Sequence, residues 1–195
     1  QTLPASEFDR ERAIFPEVAL AFIHDTQQKT WEKLQALHGE QADERILEAL
    51  CKWLDTHGVL TTLRHGFKCF GKTLRMGFFR PAHGLNPELE ARYQANRLGL
   101  TRQLYFSPKN EKSLDVVLSV NGLPVVTLEL KNQLSGQTAA NAIHQYRHDR
   151  DPRALIFLFT KRTLVHFAVD TEAAHMTTRL AGTGTHFLPF NRGHE

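Results

Sequence analysis

Cysteine is nearly absent: Cys51 and Cys69 are the only two in 195 residues. Two thiols cannot build a disulfide framework, and a reducing cytoplasm is the simpler setting for such a chain. No apolar run approaches the roughly 20 residues that a bilayer span requires, so a membrane protein is not expected. The opening residues do not resemble a signal peptide. There is no internal repeat and no low-complexity tract. No Ser-His-Asp or Cys-His grouping has local support, which leaves covalent hydrolysis without candidates. His144 and His148 stand one helical turn apart, but Glu does not follow His144 and no third ligand lies at zinc-like spacing. A metalloprotease motif is thereby excluded.

What is present is ordinary for a globular protein. Hydrophobic residues make up 41% and charged residues 23%. The length suits a single domain over residues 1–195, with a helical portion over 1–57 and a core over about 58–180. A net charge of +3 tilts the chain only weakly toward anionic partners. The ends, QTLPAS and NRGHE, read as the margins of a piece cut from a longer protein.

Along the chain, the spacing predicts a short helix after Pro16, around Val18, Leu20, Phe22 and Ile23. The clearest helix is 43–57, with Ile46, Leu47, Leu50, Trp53 and Leu54 on one face, Asp43 as its cap and Gly58 as its stop. Residues 59–80 read as short strands and turns, 88–99 as a helix closed by Gly99, and 101–107 as a strand. A helix is expected over 137–150, capped by Ser135 or Thr138. The apolar run at 154–160 reads as a strand covered on both faces, with another strand at 163–169. This order gives an α/β (α+β) chain with a mixed sheet flanked by helices.

The stretch 114–131, LDVVLSVNGLPVVTLELK, stands apart. It reads as two strands joined at Asn121-Gly122, the strongest short hairpin signal. Side chains alternate along a strand, so Leu114, Val116, Leu118, Val126, Leu128 and Leu130 are expected on core faces. Asp115, Glu129 and Lys131 then occupy the opposite faces. A two-residue turn pairs Val120 with Leu123 and, counted back, puts Asp115 opposite Leu128. Setting Asp115 against Glu129 requires one additional residue, a three-residue loop or a bulge near Gly122–Pro124. Two carboxylates on one face make a hard-metal site, with the Leu130 carbonyl as a third ligand and Lys131 placed to orient a water and offset charge on a phosphate. A Glu–Lys pair on a solvated strand face is the bland competitor, since short E-x-K strings are common.

Another string, GFKCFGKT at 66–73, fits the phosphate-loop pattern GxxxxGK[ST]. That mechanism needs a helix after the lysine, and LRMGFFRP is poor helix material. The string is set aside.

With these residues in view, the chain resembles the N-terminal endonuclease domain of type I restriction enzyme R subunits, a branch of the PD-(D/E)xK nucleases. The likeness runs through FFRPAHGLNPELEARYQANRLGLTRQLYFSP, KSLDVVLSVNGLPVVTLELKN, QTAANAIHQYRHDR and TTRLAGTGTHFLPFNRGHE. The resemblance implies a restriction-endonuclease-like fold, Asp115, Glu129 and Lys131 as the catalytic set, and Mg²⁺ as cofactor, with Mn²⁺ able to substitute. It also implies double-stranded DNA, the translocase region of the same polypeptide, and methyltransferase and specificity subunits as partners. ATP would be used only in that translocase region. Part of the family has a Gln-x-x-x-Tyr motif on the following helix. Tyr146 matches its tyrosine, Ala142 replaces the glutamine, and the adjacent Gln145 is carried as a candidate. Arg147 and Arg150 are candidates for phosphate contact. The competing functional class is a catalytically inactive DNA-binding or assembly module of the same fold.

Overall fold

The computed structural model describes residues 1–132, 134 and 136–191. Five helices of more than one turn are α1 (Pro16–His38), α2 (Ala42–His57), α3 (Val59–His65), α4 (Pro87–Gln94) and α5 (Ala139–His148). A small hairpin pairs β1 (Phe67–Cys69) with β2 (Lys72–Leu74). The main sheet runs in chain order: β3 (Leu98–Tyr105), β4 (Ser113–Val120), β5 (Leu123–Leu130), β6 (Val165–Val169), β7 (Ala174–Thr177) and β8 (Leu188–Pro189). Its neighbours are antiparallel except β5 and β6, which are parallel because α5 crosses over between them. The mixed sheet with flanking helices is the expected fold class.

Two apolar clusters hold these layers. One joins α1, α2, α3 and the β1–β2 hairpin to Leu123 of the central hairpin. The other packs Leu3, Phe8 and Phe15 with Leu104, Leu114 and Val117 of the sheet, and with Ala142, Tyr146, Ile156 and Phe157. Within α2, Ile46, Leu47, Leu50 and Leu54 are buried, as their helical spacing dictates.

Several expectations are corrected. The helix after Pro16 is not short: it runs 23 residues, bending at Gln27, whose φ is −140°. At the bend, the Gln27 side-chain amide bonds both the N–H and the carbonyl of Arg75. Asp43 does not cap α2. Its carboxylate instead receives Trp31 Nε1 and pairs with His24. Residues 59–65 form a helix rather than a strand, and Gly99 lies inside β3 rather than closing α4. The run 154–160 is not a strand: only Leu155–Phe157 form a 3₁₀ turn, which buries Ile156 and Phe157 while Leu158 and Phe159 remain exposed. Helix α5 starts after Thr138, whose N–H bonds Asn141 Oδ1, and Ser135 lies outside the described residues. The string 66–73 spans the β1–β2 hairpin, with Lys72 and Thr73 in a strand and not at a helix start. Its rejection as a phosphate loop stands.

The central turn is a tight two-residue one. Asn121 (φ 50°) and Gly122 (φ 81°) both take the left-handed conformation, and Val120 pairs directly with Leu123. Asn121 is buried, and its side chain ties the hairpin tip to Arg97 N, Met76 O and Asn96 Oδ1. A Cβ on Gly122 would meet Phe15 O at 2.6 Å and Ala19 N at 2.8 Å. Gly122→Ala is therefore expected to destabilise by about 2–4 kcal/mol, combining backbone strain with a clash against α1. Urea unfolding of the variant measures it.

Candidate functional site

The site is assembled by one extra residue in β5. Ser119 pairs with Pro124, but Leu118 pairs with Val126, so Val125 is left over as a bulge. Beyond it Val117 faces Thr127 and Val116 faces Leu128, the register that sets Asp115 against Glu129. The required irregularity is present, lying at Val125, just past Pro124, and not within the turn.

Leu114 is buried as expected, but beyond it the faces are the reverse of those expected. Val117, Thr127 and Glu129 are buried, whereas Val116, Leu118, Val126 and Leu128 are only partly covered and Leu130 is exposed. Alternation predicts which side chains share a face but not which face the helices cover. Here α5 and the 155–157 turn lie over the polar one, so the carboxylate of Glu129 has no exposed surface.

Burial of a carboxylate demands compensation. Arg150, just beyond α5, supplies it: Nε lies 2.8 Å and Nη2 2.6 Å from Glu129 Oε1, and Nη2 also donates to Ser113 O at 2.8 Å. Glu129 Oε2 is buried and accepts no hydrogen bond from a donor among the described residues, with only the acidic Asp115 beside it. Desolvation pushes the Glu129 carboxyl up to about 7, with Arg150 opposing the rise and the nearby Asp115 adding to it. Asp115 reaches across to β5, its Oδ2 accepting the Leu130 N–H at 2.8 Å and its Oδ1 accepting Gln103 Nε2 at 3.1 Å. The Lys131 N–H donates to Val169 O, so the β5 ladder continues one residue past the strand and Lys131 keeps the parity of Glu129. Its ammonium has no partner among the described residues.

Tyr146 is fully buried beneath β5. Its hydroxyl lies 2.8 Å from Thr127 Oγ1, which is 2.8 Å from His166 Nδ1. A proton order from Tyr146 to Thr127 to a neutral His166 uses both hydroxyl hydrogens. Burial keeps the imidazole neutral, pushing it down to about 4, and raises the Tyr146 phenol well above its ordinary value. Gln145, on a different side of α5, makes no side-chain hydrogen bond among the described residues. Arg147 donates Nε and Nη2 to Thr185 O. Arg147 and Arg150 are thus both engaged internally, and Arg150 is a buried counter-ion rather than a surface phosphate contact.

Sequence reading passes over Gln103, Thr127 and His166. Thr127 and His166 interrupt apolar strands, and that interruption is a legible sign. For Gln103 there was none. No group of three or more His, Cys, Asp or Glu side chains suited to a metal occurs among the described residues. His144 and His148 stack on one another at 4.2 Å. No helix is long and apolar enough to cross a membrane, among the described residues.

The two buried groups oppose each other in acid. Glu129 titrates at 4.5 when unfolded and about 7 when folded, so its stabilising contribution is full in acid and is lost as pH rises through 7. His166 titrates at 6.5 unfolded and about 4 folded, so its contribution is full above 6.5 and is lost as pH falls toward 4. In metal-free buffer, Glu129→Gln should expose the His166 slope, stability rising with pH by up to about 1.4 kcal/mol per unit. His166→Gln should expose the opposite slope. Chemical unfolding across pH 4–7 reads both.

No curated protein sequence matches the chain significantly. The family model for the type I restriction enzyme R protein N terminus does match, over residues 5–185. With nearly the whole chain covered, and the Asp115–Glu129 hairpin inside the match, the protein belongs to the family of type I restriction enzyme R protein N-terminal regions.

Proposed function

We propose that the β4–β5 hairpin carries the centre of a divalent-metal-dependent endonuclease that hydrolyses DNA phosphodiester bonds. The observation that supports this most directly is the facing pair Asp115 and Glu129, with a buried Glu129 oxygen that no donor reaches among the described residues. Two ionised carboxylates with no donor between them repel, and a proton or a cation relieves the repulsion. A pair of carboxylates completed by a carbonyl, waters and substrate phosphate suits Mg²⁺ or Mn²⁺. Asp115, Glu129 and the Leu130 carbonyl would hold the ion, which when bound polarises the scissile phosphate and lowers the pKa of a water.

The chain's own residues do the rest. Arg150 neutralises Glu129 Oε1 and directs the acid's remaining basicity to Oε2. Lys131, on the Glu129 side and without a side-chain partner among the described residues, orients the attacking water and offsets charge building on the phosphate. Tyr146 holds Thr127, two residues before Glu129, and so steadies the strand beneath the site. In this reading the chain is the cleavage module of an ATP-dependent type I restriction–modification complex of the cytoplasm. Double-stranded DNA is the substrate, and the translocase region, methyltransferase subunit and specificity subunit are the partners. Base recognition belongs to the specificity subunit.

One observation favours a second reading. The Arg150–Glu129 pair already neutralises the buried charge, as an inert fold retained for DNA binding or assembly would require. Calorimetric titration with Mn²⁺ separates the two. The enzyme reading expects binding that Asp115→Ala and Glu129→Gln abolish. It expects Lys131→Ala to keep the metal while losing DNA cleavage in the assembled complex by about 100-fold or more. Absence of Mn²⁺ binding, or binding indifferent to Asp115→Ala, leaves the non-catalytic reading standing.

A further inference from the structure

Strand β3 leaves its ladder at a single residue. Arg102 pairs with Val116 and Leu104 with Leu114, but Gln103, which stands opposite Asp115, is unpaired and takes φ 49°. A non-glycine residue in the left-handed region inside a strand is strained, and such strain persists where surrounding contacts hold it. Here the contacts are made by the side chain. Gln103 Oε1 accepts the Ser113 hydroxyl at 3.0 Å, which fixes the orientation of the amide and leaves Nε2 facing Asp115 Oδ1 at 3.1 Å. The second Asp115 oxygen accepts Leu130 N–H at 2.8 Å from the other side. Each carboxylate oxygen is thereby held by one neutral donor and keeps lone-pair capacity for a cation.

Resting on the metal-centre reading above, we infer that Gln103 is a positioning residue, which orients the Asp115 carboxylate for the cation without cancelling its charge. The contrast with Glu129 gives the physical reason. Glu129 is fully buried and needs the guanidinium of Arg150. Asp115 lies nearer solvent, and a second cationic partner there would leave the two carboxylates with little net charge to attract a metal. A neutral amide fixes direction and preserves charge. Ser113 serves both halves, since its hydroxyl orients Gln103 while its carbonyl receives Arg150.

Gln103 is exposed, so its replacement does not disturb the core. Gln103→Gly separates positioning from backbone accommodation, because glycine adopts the left-handed conformation freely. The inference expects Gln103→Gly to match or exceed the wild type in thermal stability, measured with chelator present, while Mn²⁺ affinity falls about tenfold by calorimetry. Ser113→Ala, which frees the amide to turn, should lower the affinity by a smaller factor at unchanged stability. Tight Mn²⁺ binding by Gln103→Gly overturns the inference and leaves the metal centre intact. A parallel fall in stability and affinity also overturns it, by making Gln103 a structural residue. Failure of the wild type itself to bind Mn²⁺ overturns the metal-centre reading, and the inference with it.

Discussion

A carboxylate without contact with water is the constraint from which the rest of this structure can be argued. Glu129 sits on the covered face of β5, and its charge would be prohibitively costly there without a partner. Arg150, just past the end of α5, meets that cost, its guanidinium spanning Glu129 and the Ser113 carbonyl. The compensation is incomplete. One oxygen has no donor among the described residues, and the acid stays far above the usual carboxylate range. Stability alone would have favoured an apolar residue at this position.

The polar groups around Glu129 are arranged by depth. Nearest solvent, Asp115 is held by the Gln103 amide and the Leu130 N–H. Deeper, Thr127 links Tyr146 and His166 in a chain of hydrogen bonds across β5, α5 and β6. The parallel pairing of Thr127 with His166 is the register that also sets Glu129 beside Ala168. The deep chain therefore fixes the strand, and the shallow contacts fix the carboxylates. Tyr146, expected at the site from family likeness, contacts a threonine two residues from the carboxylate.

Membership in the restriction-subunit family and this geometry bear on different questions. The family states which proteins the chain belongs with. The hairpin brings together Asp115 and Glu129, the residues on which the proposed hydrolysis rests. The phosphate-loop string makes the complementary point. It fits its pattern letter for letter, yet its lysine and threonine stand in a two-stranded hairpin, where Lys68 Nζ bonds Thr73 Oγ1. A motif has chemistry only in the backbone that its mechanism requires.

By itself the sequence determined the local features. Asn121-Gly122 dictated a tight turn, because few other pairs accept two successive left-handed residues, and the periodicity of 43–57 dictated an amphipathic helix. Parity between Asp115 and Glu129 could even be used to require an irregularity in the hairpin, and the bulge at Val125 satisfies it. Only the tertiary structure decided which sheet face is covered, because alternation is symmetric until a helix packs against one side. It also set a 3₁₀ turn at Leu155–Phe157 within the apolar run 154–160, where burying Ile156 and Phe157 against α5 and β6 outweighed strand propensity. The same packing brought Arg150 to Glu129, and the β3 kink brought Gln103 to Asp115, contacts spanning 21 and 12 residues that no local pattern encodes.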